Sequence, residues 1–186
     1  PDPGTFEQAL DRAVRVGFER TLEQDAAFGI RQLVDVACKA LSPAVNDPYT
    51  AIQAVDHLSV IFSALAERPL GAAIIRDAQG RAVVIVPARG FGDYLSTMCG
   101  LIRRYGSREP TVSLALLRLL ESCGALVRAG DVRWSAIDRE AELILLDAER
   151  EVAQPADLMA VRDATATLRQ FISDRRLSAA KPTAPH

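Results

Sequence analysis

The stretch Ser42-Pro43-Ala44-Val45-Asn46-Asp47-Pro48-Tyr49-Thr50 lies between two long helical patterns and sets the turn between them. The residue before a proline is driven out of the α region, so a helix ends at Ser42. Asp47 is a favoured N-cap residue, and Pro48 suits the first helical position, where a missing N–H breaks no hydrogen bond. We therefore predict a helix hairpin with its turn in this stretch.

Apolar residues recur at helical spacing on both sides of this turn. The pattern predicts one helix over residues 26–41 and another from Pro48 to about Arg68. The first apolar stripe consists of Ile30, Leu33, Val34, Ala37 and Leu41, and the second of Ile52, Val55, Leu58, Phe62 and Leu65. Two antiparallel helices joined by a short loop bury such stripes against each other.

The remaining chain predicts further helices and one β-hairpin. The helices are expected over residues 6–18, 91–105, 110–126, 136–152 and 155–175. Two apolar runs, residues 73–75 and 82–86, flank Asp77-Ala78-Gln79-Gly80 and predict the hairpin. A lone hairpin is marginal in water, so we expect it to pack on the helices or to pair with a third strand at residues 132–134. The predicted fold class is mostly α, a helical bundle with a small inserted β-hairpin or minimal sheet, α+β at most.

One domain is expected for nearly the whole chain. No internal repeat or composition shift divides residues 1–178, which predicts a single soluble helical domain. Residues 179–186 are rich in Ala and Pro and have nothing apolar to bury, so they are predicted to be a disordered tail. No apolar run approaches the roughly 18 residues that a membrane-spanning helix requires.

Charge and cysteine content narrow the function classes. The formal net charge is −2, from 22 basic and 24 acidic residues, which gives no reason to expect a nucleic-acid partner. Cys38, Cys99 and Cys123 are far apart and odd in number, so free thiols in a reducing compartment are the better interpretation. Phosphate-binding loops, zinc-ligand spacing and a nucleophile elbow are absent from the sequence. We therefore expect no cofactor, no metal site and no catalytic residues.

A cluster of polar residues around the helix hairpin is the candidate site. Its members are Arg20, Gln24, Asp25, Arg31, Asn46, Asp47 and Thr50. If residues 20–25 fold back beside the turn, guanidinium and carboxylate groups share a small volume that suits an anion or a hard cation. The structural alternative is that Asp25 and Asp47 are helix N-caps and that the arginines tie carboxylates together. We favour the structural alternative.

Arg103-Arg104-Tyr105-Gly106-Ser107-Arg108 is a local basic patch. Arginines at a helix C-terminus interact favourably with the helix dipole, and a basic patch also suits lipid headgroups. We favour the helix dipole and a solvated surface.

Several sequence blocks follow one another over roughly the first two thirds of the chain. They are Arg20-Thr21, Gln24-Asp25, Phe28-Gly29-x-Arg31-Gln32-Leu33-Val34-Asp35, Ala40-Leu41-Ser42-Pro43, Asn46-Asp47-Pro48-x-Thr50-Ala51, Phe91-x-Asp93-Tyr94 and Ile102-Arg103-Arg104-Tyr105-Gly106. With these blocks the chain resembles the DUF2254 family of predicted bacterial membrane proteins. The resemblance implies that transmembrane helices precede this region and that the chain is the soluble C-terminal domain of an uncharacterised integral protein of the cell inner membrane. It implies no activity.

The leading functional expectation is an assembly or regulatory module without catalysis. Its expected partners are the protein's own transmembrane region and further copies of the chain in a homo-oligomer. The unpatterned cysteines favour the cytoplasmic side of the membrane. The alternatives are a ligand- or ion-sensing domain that uses the polar cluster and, as the weakest, a metal-dependent hydrolase that uses Asp25 and Asp47.

Overall fold

The computed structural model describes residues 3–13, 18, 25–128 and 131–180. Within these ranges the chain forms seven helices and one two-stranded antiparallel sheet. In chain order the elements are α1 (Pro3–Ala13), α2 (Ala26–Ala40), α3 (Pro48–Ala66), β1 (Ala73–Arg76), β2 (Ala82–Val86), α4 (Phe91–Tyr105), α5 (Pro110–Leu126), α6 (Arg133–Glu151) and α7 (Pro155–Ala180). The predicted mostly-α fold class is confirmed.

The helix hairpin predicted from the opening stretch is formed by α2 and α3, which pack against each other. Asp47 begins α3 with Pro48 at its first position, as expected. The backbone N–H of Asp47 donates to the carbonyl of Ala40 across 2.8 Å, which closes the turn. Asn46 has a φ of 48°, a left-handed conformation that asparagine tolerates better than most residues.

The core is organised around α5. Helices α3, α6 and α7 all pack on α5, while α4 bridges α2 and α6. Trp134 of α6 is 1% exposed and meets Phe171 of α7 edge-to-face, with ring centroids 6.1 Å apart. Its indole Nε1–H donates to the carbonyl of Arg128 across 3.0 Å. Buried tryptophan usually needs such an acceptor, so the ring is fixed by packing and by a hydrogen bond.

The predicted third strand at residues 132–134 is wrong. Val132 is the N-cap of α6 and the next two residues begin the helix; the side chain of Asp131 accepts a hydrogen bond from the backbone N–H of Arg133 across 2.9 Å. The Arg133 guanidinium donates to the carbonyls of Ala66 and Arg68 at the end of α3. Carbonyls at a helix C-terminus lack intrahelical partners, so this contact stabilises the helical arrangement over a strand.

The predicted β-hairpin is present, but its environment differs from the expectation. All nine residues of β1 and β2 are exposed, and neither strand packs on any helix of the described residues. The turn is stabilised by Asp77, whose Oδ1 accepts from the backbone N–H groups of Gln79 and Arg81, each across 2.9 Å. Gly80 supplies the left-handed conformation, with a φ of 80°. The hairpin is therefore set by its local sequence rather than by burial.

The chain ends differ in part from the predictions. Helix α7 continues to Ala180, so Ala179 and Ala180 are helical and do not belong to a tail; residues 181–186 lie outside the described ranges. Helix α1 is described over Pro3–Ala13, residues 14–17 lie outside the described ranges, and residue 18 is not helical. Phe18 is fully exposed and therefore does not belong to a buried face. The division into one domain and a tail stays a prediction.

Candidate functional site

The predicted polar cluster is divided by the length of α2. Asp25 precedes α2 and Asp47 follows it, so about 22 Å of helix lies between the two carboxylates. Each carboxylate is an N-cap: Asp25 Oδ1 accepts from the backbone N–H of Ala27 across 2.9 Å, and Asp47 Oδ1 accepts from that of Thr50 across 3.1 Å. The capping alternative is thereby confirmed for both residues. Arg20 and Gln24 lie outside the described residues.

Arg31 and Thr50, two further members of the cluster, have local partners. Arg31 Nε lies 3.2 Å from Asp35 Oδ1 in an exposed ion pair one turn along α2. Thr50 donates its hydroxyl to Asp47 Oδ2 across 2.5 Å, and this hydrogen bond lowers the pKa of Asp47. The described members are therefore separate local contacts rather than one pocket. Ligand binding by the cluster stays a prediction.

Asn46 lies in a cleft together with part of the basic patch. This Asn46 cleft has a volume of about 710 Å³. Its lining residues are Leu41, Pro43, Asn46, Arg104, Tyr105, Ser107, Arg108, Glu109 and Glu151. Arg108 Nε pairs with Glu151 Oε2 across 3.0 Å. Two arginines and two glutamates balance, so the cleft is polar without a net preference for anions or cations.

Arg103 does not belong to a solvated surface, which corrects the expectation for that residue. Its side chain is only 14% exposed and forms an ion pair with Asp147 of α6, whose side chain is 17% exposed. Arg103 lies on the same face of α4 as buried Cys99, which stands one turn earlier, and this face is turned towards α6. The basic patch therefore divides into a largely buried Arg103 and the exposed Arg104 and Arg108.

Glu140 on α6 is the most unusual charged residue of the described chain. It is 4% exposed. Its Oε2 atom and the Nε atom of Arg103 are the buried side-chain nitrogen and oxygen atoms that lack a hydrogen-bond partner within the described residues. Burial raises the pKa of Glu140, and the positive charges of Arg103 and Arg139 oppose that rise. Burying a carboxyl oxygen without a hydrogen bond costs free energy of folding and is rare in native structures.

Glu140 lines a cleft between α4 and α6, which we call the α4–α6 cleft, with a volume of about 530 Å³. The other lining residues are Gly92, Asp93, Ser96, Ser135, Ala136 and Arg139. The sequence interpretation missed this cleft. A signal was present, because Glu140 stands three residues after buried Ile137 and four before buried Ile144, and so interrupts an apolar stripe.

The three thiols are free and protected from ionisation. Cys99 and Cys123 are buried, and burial raises the pKa of Cys123 to about 12 and that of Cys99 well above its ordinary value. Burial also raises the pKa of Cys38, which is partly exposed. A thiol is nucleophilic as the thiolate, so these positions suit packing rather than reaction.

Within the described ranges, no group of three or more His, Cys, Asp or Glu side chains is placed to hold a metal ion. No helix of these ranges combines the length and the apolar character of a membrane-spanning segment.

Fold and site together define a mostly helical module with an exposed apolar hairpin and a buried glutamate beside a polar cleft. Residues 2–122 match the family described as "Predicted membrane protein (DUF2254)", and the chain belongs to this family. It is 46% identical over 171 residues to uncharacterized proteins of Mycobacterium bovis and Mycobacterium tuberculosis. That similarity covers 91% of this chain and 33% of each relative, so the chain spans about a third of their length. No solved structure matches the chain.

Proposed function

We propose that this chain is an assembly module of a DUF2254 membrane protein and that it self-associates through the β-hairpin of residues 73–86. The proposed location is the cell inner membrane, with this part of the protein on the cytoplasmic side, where free thiols are common. Its partners are further copies of itself and the transmembrane region of the same protein. The observation that carries the proposal is the apolar hairpin that no described helix covers.

The hairpin exposes six large aliphatic side chains in fourteen residues. Their exposed fractions lie between 42% and 63%, and the residues are Ile74, Ile75, Val83, Val84, Ile85 and Val86. Isolated exposed apolar residues are ordinary, but a contiguous apolar patch marks an interaction site. Because consecutive residues of β2 are apolar, both faces of this hairpin are apolar. Covering one face would leave the other face exposed to water.

A second copy of the chain is the binding partner that fits both the faces and the edges of the β-hairpin. Within the described residues, each strand of the two-stranded sheet has one edge that pairs with no other strand. Residues 82–86 of β2 carry no charge and no proline, which are two of the devices that block edge pairing. An identical hairpin from a symmetry-related copy offers a matching edge and a matching apolar face, as a two-fold interface requires.

Light scattering after size-exclusion chromatography, over a range of concentrations, tests the proposal. We expect a mass of a dimer or larger closed oligomer for the unaltered chain. The variant Val83→Lys/Ile85→Lys places two charges on one face of β2 and should shift the mass to that of a monomer. Because both residues are more than 60% exposed, the circular dichroism spectrum should not change.

Val60→Lys is the matched control, because Val60 is a 72% exposed valine on α3, away from the hairpin. It should leave the oligomer intact. A monomer at every concentration, or an oligomer that is indifferent to the double substitution, would overturn the proposal. A monomeric chain that sediments with phospholipid vesicles, and loses this ability in the double variant, would show that the hairpin binds the membrane. That result would also contradict self-association.

A sensing role is the second candidate function, and the α4–α6 cleft favours it. The polar cluster of the opening stretch was the expected sensing site. Its described members lie at both ends of α2, whereas the α4–α6 cleft gathers its polar groups at one place.

A further inference from the structure

We propose that the end of the helical bundle from which the β-hairpin extends docks on a membrane surface that contains anionic phospholipid. The contact is made by exposed arginines that form no ion pair within the described residues. We call this surface the basic end, and its arginines are Arg68, Arg89, Arg128, Arg175 and Arg176. The inference rests on the membrane location in the proposed function and does not depend on self-association through the hairpin.

Side-chain contacts hold four helix ends together at the basic end. The guanidinium group of Arg133, at the start of α6, donates to the carbonyl of Arg68, just after α3. The same group lies 5.7 Å from the ring centroid of Phe91, at the start of α4. The indole N–H of Trp134 donates to the carbonyl of Arg128, just after α5. The ends of α3 and α5 therefore meet the starts of α4 and α6.

Helices α7 and α2 reach the same end of the bundle. Arg176 of α7 lines a cleft of about 360 Å³ together with Asp131 and Val132, which connect α5 to α6. Because α2 and α3 form a helix hairpin, α2 begins near the end of α3. Asp25, the N-cap of α2, therefore lies at the basic end, and the segment before it reaches the bundle from this side.

The two ends of the bundle differ in charge. The segments that connect helices at the basic end, residues 67–90 and 127–132, contain five arginines and three acidic residues. The connecting segments at the opposite end, residues 41–47, 106–109 and 152–154, contain one arginine and two acidic residues. The net charges are therefore +2 and −1. A basic segment beside a membrane is attracted by the anionic lipids of the cytoplasmic leaflet.

Two of the three acidic residues in the connecting segments of the basic end already have partners within the chain. Asp77 holds the turn of the hairpin and pairs with Arg81 across 2.8 Å. Asp131 accepts from the backbone N–H of Arg133 and lies 3.7 Å from its Nε atom. The third, Glu67, is exposed and offsets one arginine. The five arginines of the basic end are exposed and have no carboxylate partner within the described residues, so their charge is available to a lipid surface.

Exposed apolar side chains accompany these arginines. Val132 is 84% exposed and Leu126 is 40% exposed, and both lie beside Arg128 in the chain. A lipid surface accommodates both kinds of side chain, because guanidinium groups bind its phosphates and aliphatic groups enter the boundary with the acyl chains. The phosphate backbone of a nucleic acid offers only the first kind of contact. The combination therefore favours a membrane over a nucleic acid.

Co-sedimentation with phospholipid vesicles tests the inference. We expect the unaltered chain to sediment with vesicles of equal parts phosphatidylglycerol and phosphatidylcholine, and not with vesicles of phosphatidylcholine alone. Binding should fall steeply between about 0.15 M and about 1 M salt, because the Debye length shortens from about 8 Å to about 3 Å. Arg128→Gln/Arg176→Gln should weaken binding by about 25-fold, a factor of about five for each arginine at the surface. Arg128→Lys/Arg176→Lys keeps the charge and should bind as the unaltered chain does.

Arg104→Gln/Arg108→Gln is the matched control, because it removes two exposed arginines at the opposite end of the bundle. It should bind the anionic vesicles as the unaltered chain does. The circular dichroism spectra of all these variants should agree, since the substituted side chains are exposed.

The absence of binding to anionic vesicles at low salt, or equal weakening in the two glutamine variants, would overturn the inference. Tighter binding of a labelled RNA duplex than of anionic vesicles would identify nucleic acid as the partner and would also overturn it. Val83→Lys/Ile85→Lys keeps all five arginines, so a loss of vesicle binding in that variant would assign the lipid contact to the hairpin instead. Arginine-dependent vesicle binding by a monomeric chain would overturn the self-association proposal alone, so the two proposals fail separately.

Discussion

Helix α5 and the β-hairpin have similar apolar compositions but opposite environments. Nine of the seventeen residues of α5 are buried, whereas none of the nine strand residues is. A helix gathers its apolar residues on faces that neighbouring helices cover. A two-stranded hairpin has two open faces and two open edges, and it needs another layer that the described chain does not provide. Composition alone therefore does not decide which apolar segment becomes core.

This difference assigns different roles to the two regions. Substitutions in the helical core should lower the free energy of unfolding, because they remove buried contacts. Substitutions in the hairpin should leave that free energy nearly unchanged and should instead affect association. The following experiments measure how sharply the roles separate.

The largest effect is expected for Trp134→Ala. The ring is buried, packs against Phe171 and donates a hydrogen bond, so its removal should lower the free energy of unfolding by about 3–5 kcal/mol. Urea denaturation monitored by circular dichroism measures the change. Trp134→Phe keeps much of the ring volume and should lose less. A loss below about 1 kcal/mol for the alanine variant would show that Trp134 contributes little to the stability of the core.

The next largest effect is expected for Gly106→Ala at the end of α4. A Cβ atom there would stand 2.7 Å from Cγ1 of Val112 and 3.2 Å from Cδ1 of Leu41. Val112 is fully buried and cannot move away freely, so overpacking should cost about 1–3 kcal/mol in the same denaturation experiment.

Combining Gly106→Ala with Val112→Ala should recover part of that loss, because the two positions touch. Gly92→Ala is the control within the same helix, since its Cβ atom meets Ala136 at an ordinary 3.4 Å. It should leave stability unchanged or slightly raise it. Additive losses at Gly106 and Val112 would contradict the steric explanation.

A gain in stability is expected for Glu140→Met, which replaces an unpaired buried charge by an apolar side chain. At pH 8 the gain should be about 1 kcal/mol or more. Because the pKa of Glu140 is raised in the folded state, the unaltered chain loses stability as the pH rises through that folded-state pKa. The gain should therefore shrink as the pH falls towards the ordinary glutamate pKa of about 4.3. Urea denaturation at pH 8, 6 and 4.5 measures it, and a gain that is independent of pH would contradict the assigned cause.

The smallest effect on stability is expected for Ile85→Thr in the hairpin. Ile85 is 63% exposed, so the monomer should change by no more than about 0.5 kcal/mol. The measurement is made in the Val83→Lys background, to separate folding from association. A loss comparable to that of a core substitution would show that the hairpin is covered within the chain, and the contrast with α5 would then disappear.

Several helix limits could be predicted from the sequence because the signals that set them are local. The predicted limits of α4 and α5 agree with the structure at both ends. Gly106 ends the first of these helices, and Pro110 fits the first position of the second. The caps at Asp25 and Asp47 were predictable for the same reason, since a cap depends on residues two or three positions away.

The start of α6 and the position of Arg103 were not predictable in this way. Residues 132–134 have strand-like side chains, and their helical state is supported by Arg133 reaching the end of α3. Arg103 resembles a solvated arginine in sequence, and its burial depends on Asp147, 44 residues further along the chain. Contacts at such separations leave no local pattern.

The sequence by itself determined the family, the mostly-α class, the helix hairpin around Asp47 and the presence of a β-hairpin. These features depend on periodicity, caps and turn residues, which act over a few residues. Only the tertiary structure decided that Asp25 and Asp47 lie at opposite ends of α2 and that Asn46 lies beside Arg104. It also decided that the β-hairpin stays uncovered within the described chain and that Glu140 is buried without a partner. These outcomes depend on which helix faces meet, because burial and pairing belong to the packed arrangement and not to any one segment.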